Sequence, residues 1–501
     1  MKKYGKFAAL VVVVLGAMVW LAFSGSSDSR SYYKTISELA KVLRSGELTA
    51  EALLDRCLER IKRIDPCLNS FVTLDEAAAR TAVKASDARL ADGSARSLLE
   101  GVPISVKDNI LVAGMPATWG SRALADFLPS RDELPVARLR AAGAIIIGKT
   151  NVPELTLEGY TKNDLFGVTR NPWDTRLTPG GSSGGAAASV AAGLVPAAIG
   201  TDGGGSVRRP ACHTGLVGWK PSVGRIPRID GFPAILTDFE TIGTLTRSVD
   251  DAVLLEGAMA GPDARDRRSL YAEAKPWKGK ARILYIPQFG DAPVDEEVAV
   301  ATARVAEELT REGHSVREER VFFNLDEVGR IWHVVSRAGV ACLMTWKEGT
   351  LRTMAGASVR AMAGEGERIT GADYIDALER VAALRRRCAE LFDQFDLVLT
   401  PTAAALPWAA EKPYPDRIAG RSAGPRDHAI FTGWVNIAGL PAISLPVAVS
   451  KRRLPIGVQI VAAFGADAPL LAFALAFSKR HRGPALPANV ESPRPAGSLP
   501  A

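Results

Sequence analysis

The stretch "GGSSGGAAASVAAGLVPAAIGTDGGGSVRRP", residues 180–210, alternates glycine-rich loops with compact apolar segments. Its pattern predicts a glycine-serine loop, a helix of small residues ending at Gly193, a short strand, and a second glycine loop that leads to Ser206. A flexible linker would not contain such compact segments. Three consecutive glycines before a serine let the backbone turn its N–H groups towards one point, which is the geometry that an oxyanion hole requires.

Helix and strand patterns alternate on both sides of this stretch. The segment "GVPISVKDNI" predicts a short buried strand that runs into a loop at Lys107, and "VARLRAAGAIIIGKTNVPE" predicts a helix, a glycine stop and a strand. A further unit begins with "ARILYIPQFG" and continues in a helix near Asp295. Such alternation predicts an α/β fold with three layers, in which helices cover both faces of a mixed central sheet.

Two short motifs compete for the assignment of function. The segment "GAIIIGKT", residues 143–150, fits the phosphate-loop pattern letter for letter, but its three isoleucines favour a buried strand over a loop that wraps phosphates. The segment "GSSGG", residues 181–185, fits the nucleophile elbow of esterases with Ser183 at its centre. No strand pattern precedes it, and the chain has only five histidines to supply a base, so this match is weak.

Composition indicates a globular protein of enzyme size. The chain has 501 residues, of which 47% are hydrophobic, and a formal net charge of +7 without a basic block that would indicate nucleic-acid binding. Its five cysteines are widely spaced and form no C-x-x-C pair. We therefore expect neither a disulfide framework nor a metal site.

The two ends of the chain differ from the rest. Three lysines precede an uncharged run from Ala8 to Phe23, so residues 1–30 are interpreted as an export signal or as a membrane anchor, and both interpretations stay open. Either one predicts a protein that is extracytoplasmic (periplasmic or secreted) or anchored in the membrane. Residues 31–482 are expected to form the catalytic domain, and the proline-rich residues 483–501 a disordered tail.

Eight segments carry a resemblance to a known family. They are "GVPISVKDNI", "GAIIIGKTNVPEL", "RNPWDTRLTPGGSSGG", "IGTDGGGSVRRPA", "GLVGWKPSVGR", "DFETIGTLTRSVDDA", "FDLVLTPT" and "GLPAISLPV". Together they resemble the amidase signature family, which includes fatty acid amide hydrolases, bacterial amidases and the A subunit of glutamyl-tRNA amidotransferase. The resemblance covers roughly residues 35–480, in family order.

The resemblance implies a catalytic triad of two serines and a lysine. Ser206 corresponds to the nucleophile, Ser182 to the serine that relays the proton, and Lys107 to the base. A lysine at its ordinary pKa of about 10.4 is protonated, so Lys107 needs a desolvated environment to act as a base. The resemblance also implies a cis peptide bond between Gly181 and Ser182.

The same resemblance implies supporting roles for the neighbouring residues. The backbone N–H groups of Gly203, Gly204, Gly205 and Ser206 would bind the negatively charged oxygen of the tetrahedral intermediate. The remaining residues support the site: Ser183 caps the following helix or orients Ser182, while Asp202 and Arg208 brace the nucleophile loop. His213 is an alternative base that the lysine motif makes unnecessary.

The expected activity is hydrolysis of a carboxylic amide to an acid and ammonia or an amine, through a serine acyl-enzyme and without a metal or organic cofactor. The alternative is the glutaminase-type A subunit of a tRNA-dependent amidotransferase, against which the predicted export argues. A non-catalytic binding module is a third interpretation, against which the intact triad argues. We expect a small-molecule amide as ligand and no nucleic acid. Membrane attachment through the N-terminal segment and a homo-oligomer stay open. The acyl and amine groups of the substrate do not follow from the sequence.

Overall fold

The computed structural model describes residues 32–484, apart from residues 270, 272, 320–323 and 482 and the side chains of residues 347 and 348. The predicted N-terminal segment and most of the predicted tail lie outside the described residues. The domain boundaries placed at residues 30 and 483 therefore stay a prediction.

A mixed sheet forms the centre of the described chain. It has eleven strands in the order β1-β3-β2-β6-β8-β7-β14-β15-β11-β9-β10, and two further sheets have two strands each. The strands are Phe71–Leu74 (β1), Pro103–Lys107 (β2), Ile145–Thr150 (β3), Lys162–Asn163 (β4), Gly167–Val168 (β5), Ala197–Asp202 (β6), Val217–Lys220 (β7), Thr241–Thr246 (β8), Arg282–Tyr285 (β9), Ser315–Glu318 (β10), Leu397–Pro401 (β11), Arg417–Ile418 (β12), Arg421–Ser422 (β13), Ala442–Val449 (β14) and Pro455–Ala462 (β15).

Helices flank this sheet, so the predicted three-layer α/β/α fold with a mixed central sheet is confirmed. The α-helices of the described chain are Ile36–Arg44, Ala50–Leu68, Glu76–Ala91, Leu134–Ala142, Gly184–Ala191, Arg208–Thr214, Val249–Met259, Glu296–Arg311, Leu325–Leu343, Thr350–Met354, Ala357–Gly366, Gly371–Gln394, Gly433–Ala438 and Asp467–Arg480. Thr49 caps the second of these helices by accepting a hydrogen bond from the backbone N–H of Ala52.

The segment that fits the phosphate-loop pattern is a strand. Ile145–Thr150 lies between β1 and β2 in the sheet, and all six of its residues are buried. Lys149 lies 3.4 Å from the carboxylate of Asp108, in a contact that is fully buried. The preference of β-branched residues for strands therefore predicts this segment correctly.

The helix of small residues runs through the interior of the molecule. All eight residues of Gly184–Ala191 are buried, and the helix contacts strands β2, β6 and β8. A side chain on Gly184 or Gly185 would overlap with Thr161 and with the backbone of Asn151. Small residues are therefore required for a helix that is enclosed on all sides, and this helix holds the preceding serines in place.

Candidate active site

Three chain segments bring the predicted triad together. β2 ends at Lys107, and its neighbour β6, which is parallel to it, ends at Asp202 just before the nucleophile loop. Because parallel neighbours end at the same edge of a sheet, Lys107 and the loop that carries Ser206 meet there. Ser182 reaches the same edge from the turn before the buried helix.

Lys107 is fully buried and hydrogen-bonded to two hydroxyl groups. Its Nζ lies 2.8 Å from Ser182 Oγ, 2.8 Å from Thr201 Oγ1 and 3.1 Å from the carbonyl oxygen of Thr201. Burial lowers the pKa of Lys107 to about 7, although Glu240 and Asp202 act in the opposite direction. A large fraction of Lys107 is therefore neutral at physiological pH and able to accept a proton.

Thr201 is a hydrogen-bond partner of Lys107 that the sequence did not reveal. Its hydroxyl binds both Lys107 Nζ and the side-chain amide of Asn109, at 3.0 Å from Nδ2. Thr201 directly precedes Asp202 in the matching segment "IGTDGGGSVRRPA", and Asn109 lies two residues after Lys107. Their proximity to triad residues in the sequence is the only signal that could have indicated them.

The turn before the buried helix links two of the predicted catalytic segments. The peptide bond between Gly181 and Ser182 is cis, as the resemblance implies. The backbone N–H of Ser183 donates a hydrogen bond to the carbonyl oxygen of Ser206 at 3.1 Å, and its hydroxyl donates to the carbonyl oxygen of Thr201 at 3.2 Å. Ser183 occupies the N-cap position without a side-chain capping bond. Its hydroxyl therefore holds the loops together and does not cap the helix.

Ser206 retains slight solvent access, with 8% of its surface exposed. In the part of the chain that the structure describes, its hydroxyl makes no hydrogen bond to Ser182. Catalytic hydrogen bonds are often long before substrate binds and shorten in the complex. Of the two contacts that the predicted relay requires, the structure therefore contains the one between Lys107 and Ser182.

One of the four backbone N–H groups predicted to bind the oxyanion, that of Gly205, already has another acceptor. The N–H of Gly205 donates to Asp202 Oδ1 at 2.8 Å, so it is not free to bind an oxyanion in this structure. The N–H groups of Gly203, Gly204 and Ser206 have no acceptor among the described residues. The predicted oxyanion hole therefore has these three N–H donors instead of four, because the fourth, that of Gly205, is bonded to the carboxylate of Asp202.

Asp202 and Arg208 form a fully buried ion pair below the loop. Arg208 Nη2 lies 2.7 Å from Asp202 Oδ1, and Nε lies 3.0 Å from Oδ2. The same carboxylate also accepts from the backbone N–H groups of Val207 and Arg208, and from the side chain of Asn436. These bonds hold the pKa of Asp202 far below its usual range. The geometry fits the predicted bracing role, and Asn436 is a partner that the sequence did not reveal.

His213 is not bonded to any triad residue. Its Nε2 donates to the carbonyl oxygen of Ala405 at 3.2 Å, and its ring lies edge-on to Trp408. Burial lowers the pKa of His213 to about 4, so the ring is neutral at physiological pH. A neutral, buried histidine that packs against a tryptophan has a structural explanation, which favours Lys107 as the base.

A small cavity adjoins the site on the side of Asn109. Its volume is about 120 Å³, and its walls include Trp119, Phe232 and Leu236. The rings of Trp119 and Phe232 stack with centroids 4.6 Å apart. At one end lies Arg228, which is paired with Glu133 and Glu240. An aromatic wall of this kind suits a flat or apolar substituent.

A helix from a distant part of the chain covers the nucleophile loop. Trp332, on Leu325–Leu343, packs against Gly204 so closely that a Cβ atom on that glycine would lie 2.5 Å from the indole ring. Leu236 would lie 2.8 Å from a Cβ atom on Gly203. Trp332 lies outside every segment that resembles the family, so the sequence did not reveal this contact.

No metal site is present among the residues that the structure describes, since no group of three or more His, Cys, Asp or Glu side chains could hold an ion there.

Comparisons with known proteins show the family of this chain. The Amidase family profile matches residues 52–471. The chain belongs to the amidase signature family. It is 33% identical over 463 residues to the A subunit of glutamyl-tRNA(Gln) amidotransferase from Alkaliphilus metalliredigens (strain QYMF), across 85% of this chain and 92% of the relative. It is 34% identical over 458 residues to the corresponding protein of Cyanothece sp. (strain PCC 7425 / ATCC 29141), across 85% of this chain and 94% of the relative.

Solved structures of the amidase family have the same fold. A bacterial aryl acylamidase of the amidase signature family superimposes with a TM-score of 0.84, at 28% identity, over 92% of this chain and 99% of its own. An amidase crystal structure superimposes with a TM-score of 0.80, at 31% identity, over 89% of this chain and 100% of its own. The chain is thus an amidase signature enzyme, a hydrolase that acts on amides.

The predicted extracytoplasmic or membrane-anchored location is wrong. The finding that overturns it is that the curated relatives are A subunits of glutamyl-tRNA(Gln) amidotransferase. Separately, none of the helices that the structure describes is long and apolar enough to cross a membrane. The run from Ala8 to Phe23, on which the prediction depended, lies outside the described residues. The predicted export was also the argument against the amidotransferase alternative, so that argument no longer applies.

Proposed function

We propose that this chain cleaves a carboxylic amide by transferring the acyl group to Ser206. Ser182 relays the proton and Lys107 is the base. The proposal rests on the 2.8 Å contact between Lys107 Nζ and Ser182 Oγ. Burial lowers the pKa of this amine to about 7, so that it can accept a proton. Ser183, Asp202 and Arg208 then support the site by fixing the loops.

The acylation step follows from these positions. The electron pair of Ser206 Oγ forms a bond to the amide carbon as its proton passes to Ser182 and the proton of Ser182 passes to Lys107. The carbonyl oxygen becomes negatively charged and binds the free N–H groups of Gly203, Gly204 and Ser206. When the carbon–nitrogen bond breaks, the leaving nitrogen takes a proton from Lys107 through Ser182, so that a neutral amine or ammonia departs.

Deacylation uses the same groups in the same order. A water molecule gives its proton to the relay while its oxygen attacks the acyl carbon. The ester bond to Ser206 then breaks, and Ser206 recovers a proton from the relay as the acid is released. Because an acyl-enzyme also forms from esters, we expect esterase activity as a side reaction.

The curated relatives favour the amidotransferase alternative over a free-standing amidase that acts on linear amides. At 33–34% identity they are A subunits of glutamyl-tRNA(Gln) amidotransferase, and each is covered over more than nine tenths of its length. We therefore propose that the amide is glutamine and that the ammonia serves partner subunits. This proposal replaces the expectation that nucleic acid has no part in the function.

A free-standing amidase is the second candidate because of the cavity beside Asn109. Its walls carry the stacked rings of Trp119 and Phe232, which suit an aromatic or apolar group better than glutamine, whose amide is polar and whose α-amino and α-carboxylate groups are charged. The structural similarity to an aryl acylamidase, with a TM-score of 0.84, also supports this candidate.

One experiment separates the two candidates. The purified chain is assayed for ammonia release from L-glutamine and for aniline release from aryl amides, with and without the other subunits of a glutamyl-tRNA(Gln) amidotransferase, and Ser206→Ala is the blank. The amidotransferase proposal expects glutamine hydrolysis that the other subunits accelerate. Rapid aryl amide hydrolysis by the isolated chain, with no effect of added subunits, would support the free-standing amidase instead.

A further inference from the structure

Two arginines beside the nucleophile loop have no carboxylate partner among the described residues. They are Arg209, which follows the ion-paired Arg208, and Arg426, which lies in the loop before the helix Gly433–Ala438. Neither forms an ion pair within the described chain. Other arginines near the site are paired: Arg208 with Asp202, and Arg228 with Glu133 and Glu240.

Arg209 is buried, with only 4% of its surface exposed. Its Nη1 donates to His428 Nε2 at 2.8 Å, and its Nε makes a long contact of 3.4 Å with the carbonyl oxygen of Gly205. Its Nη2 has no partner in the described part of the chain. Burial and nearby Arg426 lower the pKa of Arg209 to about 9, which still leaves it protonated at neutral pH. A buried cation with unused donors is costly unless an anion completes the site.

Arg426 is exposed to solvent. Its guanidinium group stacks over the ring of Trp332 at 4.2 Å from the centroid, and Trp332 packs against Gly204. Both arginines thus border the loop that contains the three free oxyanion donors. Their positions, one buried and one accessible, suit an anion that enters from solvent.

The other charged groups near the two arginines do not neutralise them. Arg337 adds positive charge but is paired with Glu365 at 3.0 Å. Glu158 is the nearby acid, and its carboxylate accepts a hydrogen bond from Ser358 Oγ at 3.2 Å. Burial raises the pKa of Glu158, which weakens it as a counter-charge. A net positive charge therefore remains beside Ser206.

We propose that Arg209 and Arg426 bind a carboxylate of the amide substrate, so that the enzyme selects amides that carry an anionic group near the scissile bond. The inference rests on the proposed function and narrows its substrate class. Glutamine, the substrate proposed above, carries such a carboxylate. A guanidinium pair also discriminates against neutral analogues, because their binding leaves both cations without an anion.

The test measures binding to the Ser206→Ala protein, which does not depend on turnover. Calorimetry compares two matched pairs of ligands. On the acyl side, succinic acid mono(4-nitroanilide) is compared with the 4-nitroanilide of 4-oxopentanoic acid. On the amine side, N-acetyl-4-aminobenzoate is compared with N-acetyl-4-aminoacetophenone. In each pair a methyl ketone of similar size replaces the carboxylate. Comparing the two pairs also shows on which side of the amide the anion lies.

We expect the carboxylate of at least one pair to bind about tenfold more tightly or better, which is the fold-change that one charge-assisted hydrogen bond provides. Adding Arg426→Ala should reduce the ratio of the carboxylate's affinity to the ketone's affinity towards one, and Arg426→Lys should retain part of this ratio. Arg209→Lys tests the buried partner in the same way. The control is Arg421→Ala, which removes an exposed arginine of the same region that lies 3.6 Å from Asp291 and should preserve the ratio.

Equal affinity within both pairs, or no binding of any ligand at millimolar concentration, would overturn the inference. A preference for carboxylate that survives Arg426→Ala and Arg209→Lys would do so as well. The proposed function has a separate readout in the unmodified protein, namely labelling of Ser206 by a fluorophosphonate. Labelling without a carboxylate preference refutes the anion site alone, whereas no labelling refutes the proposed reaction.

Discussion

Lys107 Nζ lies 2.8 Å from Ser182 Oγ and has no carboxylate within ion-pair distance in the described chain. A buried lysine usually lies against an acid, as Lys149 does against Asp108 at 3.4 Å. Lys107 instead faces hydroxyl groups and a carbonyl oxygen. This difference between two buried lysines on neighbouring strands makes one of them suitable as a base and the other a structural residue.

Replacing the proposed base should abolish most of the activity. Lys107→Met keeps an unbranched side chain in the buried site but cannot accept a proton, so we expect kcat/KM for an amide to fall about 10²- to 10⁴-fold. Thermal unfolding should stay close to that of the unmodified protein, because no ion pair is lost. His213→Ala is the comparison, and a larger loss of activity in that variant would show that the base has been misassigned.

The pH dependence of kcat/KM should report the pKa of Lys107. Only the neutral amine accepts a proton, so activity should rise tenfold per pH unit on the acid side and level off above a midpoint near pH 7. A profile that still rises above pH 9 would mean that the base has an ordinary lysine pKa.

A variant of Glu240 should move that midpoint in a known direction. The negative charge of Glu240 raises the pKa of Lys107, and Glu240 also pairs with Arg228, whose positive charge lowers it. Glu240→Gln removes the negative charge that raises the pKa of Lys107 and leaves the positive charge of Arg228 less compensated. The midpoint of the kcat/KM profile should therefore shift to lower pH. A shift to higher pH would contradict the electrostatic origin assigned to it. Glu365→Gln, at an ion pair that joins the helices Leu325–Leu343 and Ala357–Gly366, should leave the midpoint in place.

The three serines should respond differently to a fluorophosphonate. Ser206→Ala should abolish labelling, and Ser182→Ala should slow it strongly because the relay to Lys107 is cut. Ser183→Ala should have a smaller effect, since the backbone N–H of Ser183 still binds the carbonyl oxygen of Ser206. Mass spectrometry of the labelled peptide checks the assignment, and an adduct on Ser183 would restore the esterase interpretation.

Much of this arrangement follows from local sequence. The isoleucines of Ile145–Thr150 predict a buried strand, and the glycine-serine spacing predicts the positions of Ser182 and Ser206 by resemblance. Trp332, Arg426 and Asn436 could not be predicted, because each reaches the loop from a segment more than 100 residues away that has no recognisable motif. Nor could the bond from the N–H of Gly205 to Asp202 be predicted, since composition does not determine which way a peptide plane faces.

The ion pair below the nucleophile loop should contribute strongly to stability. Asp202→Asn leaves the buried Arg208 without its counter-charge, so we expect a loss of about 3–5 kcal/mol in the free energy of unfolding. Asp376→Asn removes an exposed pair with Arg380 on a helix surface and should cost less than about 1 kcal/mol. Denaturant titration of both variants measures the difference, and similar losses would contradict the importance given to burial.

The contact between Gly204 and Trp332 should be visible as coupling between two substitutions. Gly204→Ala introduces a methyl group against the indole ring and displaces a predicted oxyanion donor, so kcat/KM should fall by up to about 10²- to 10³-fold. Trp332→Ala removes the obstruction, and the double variant should recover part of the loss. Strictly additive effects of the two substitutions on kcat/KM would mean that the tryptophan does not set the position of the loop.

The buried helix Gly184–Ala191 determines where the substrate range of this enzyme can change. All eight of its residues are buried, so a larger residue at any of these positions would displace the helix and with it Ser182 and Ser183. Trp332 and Leu236, by contrast, reach the nucleophile loop from outside that helix. Directed evolution towards new amides should therefore accumulate substitutions around these two residues, while the helix that holds the reacting groups keeps its sequence.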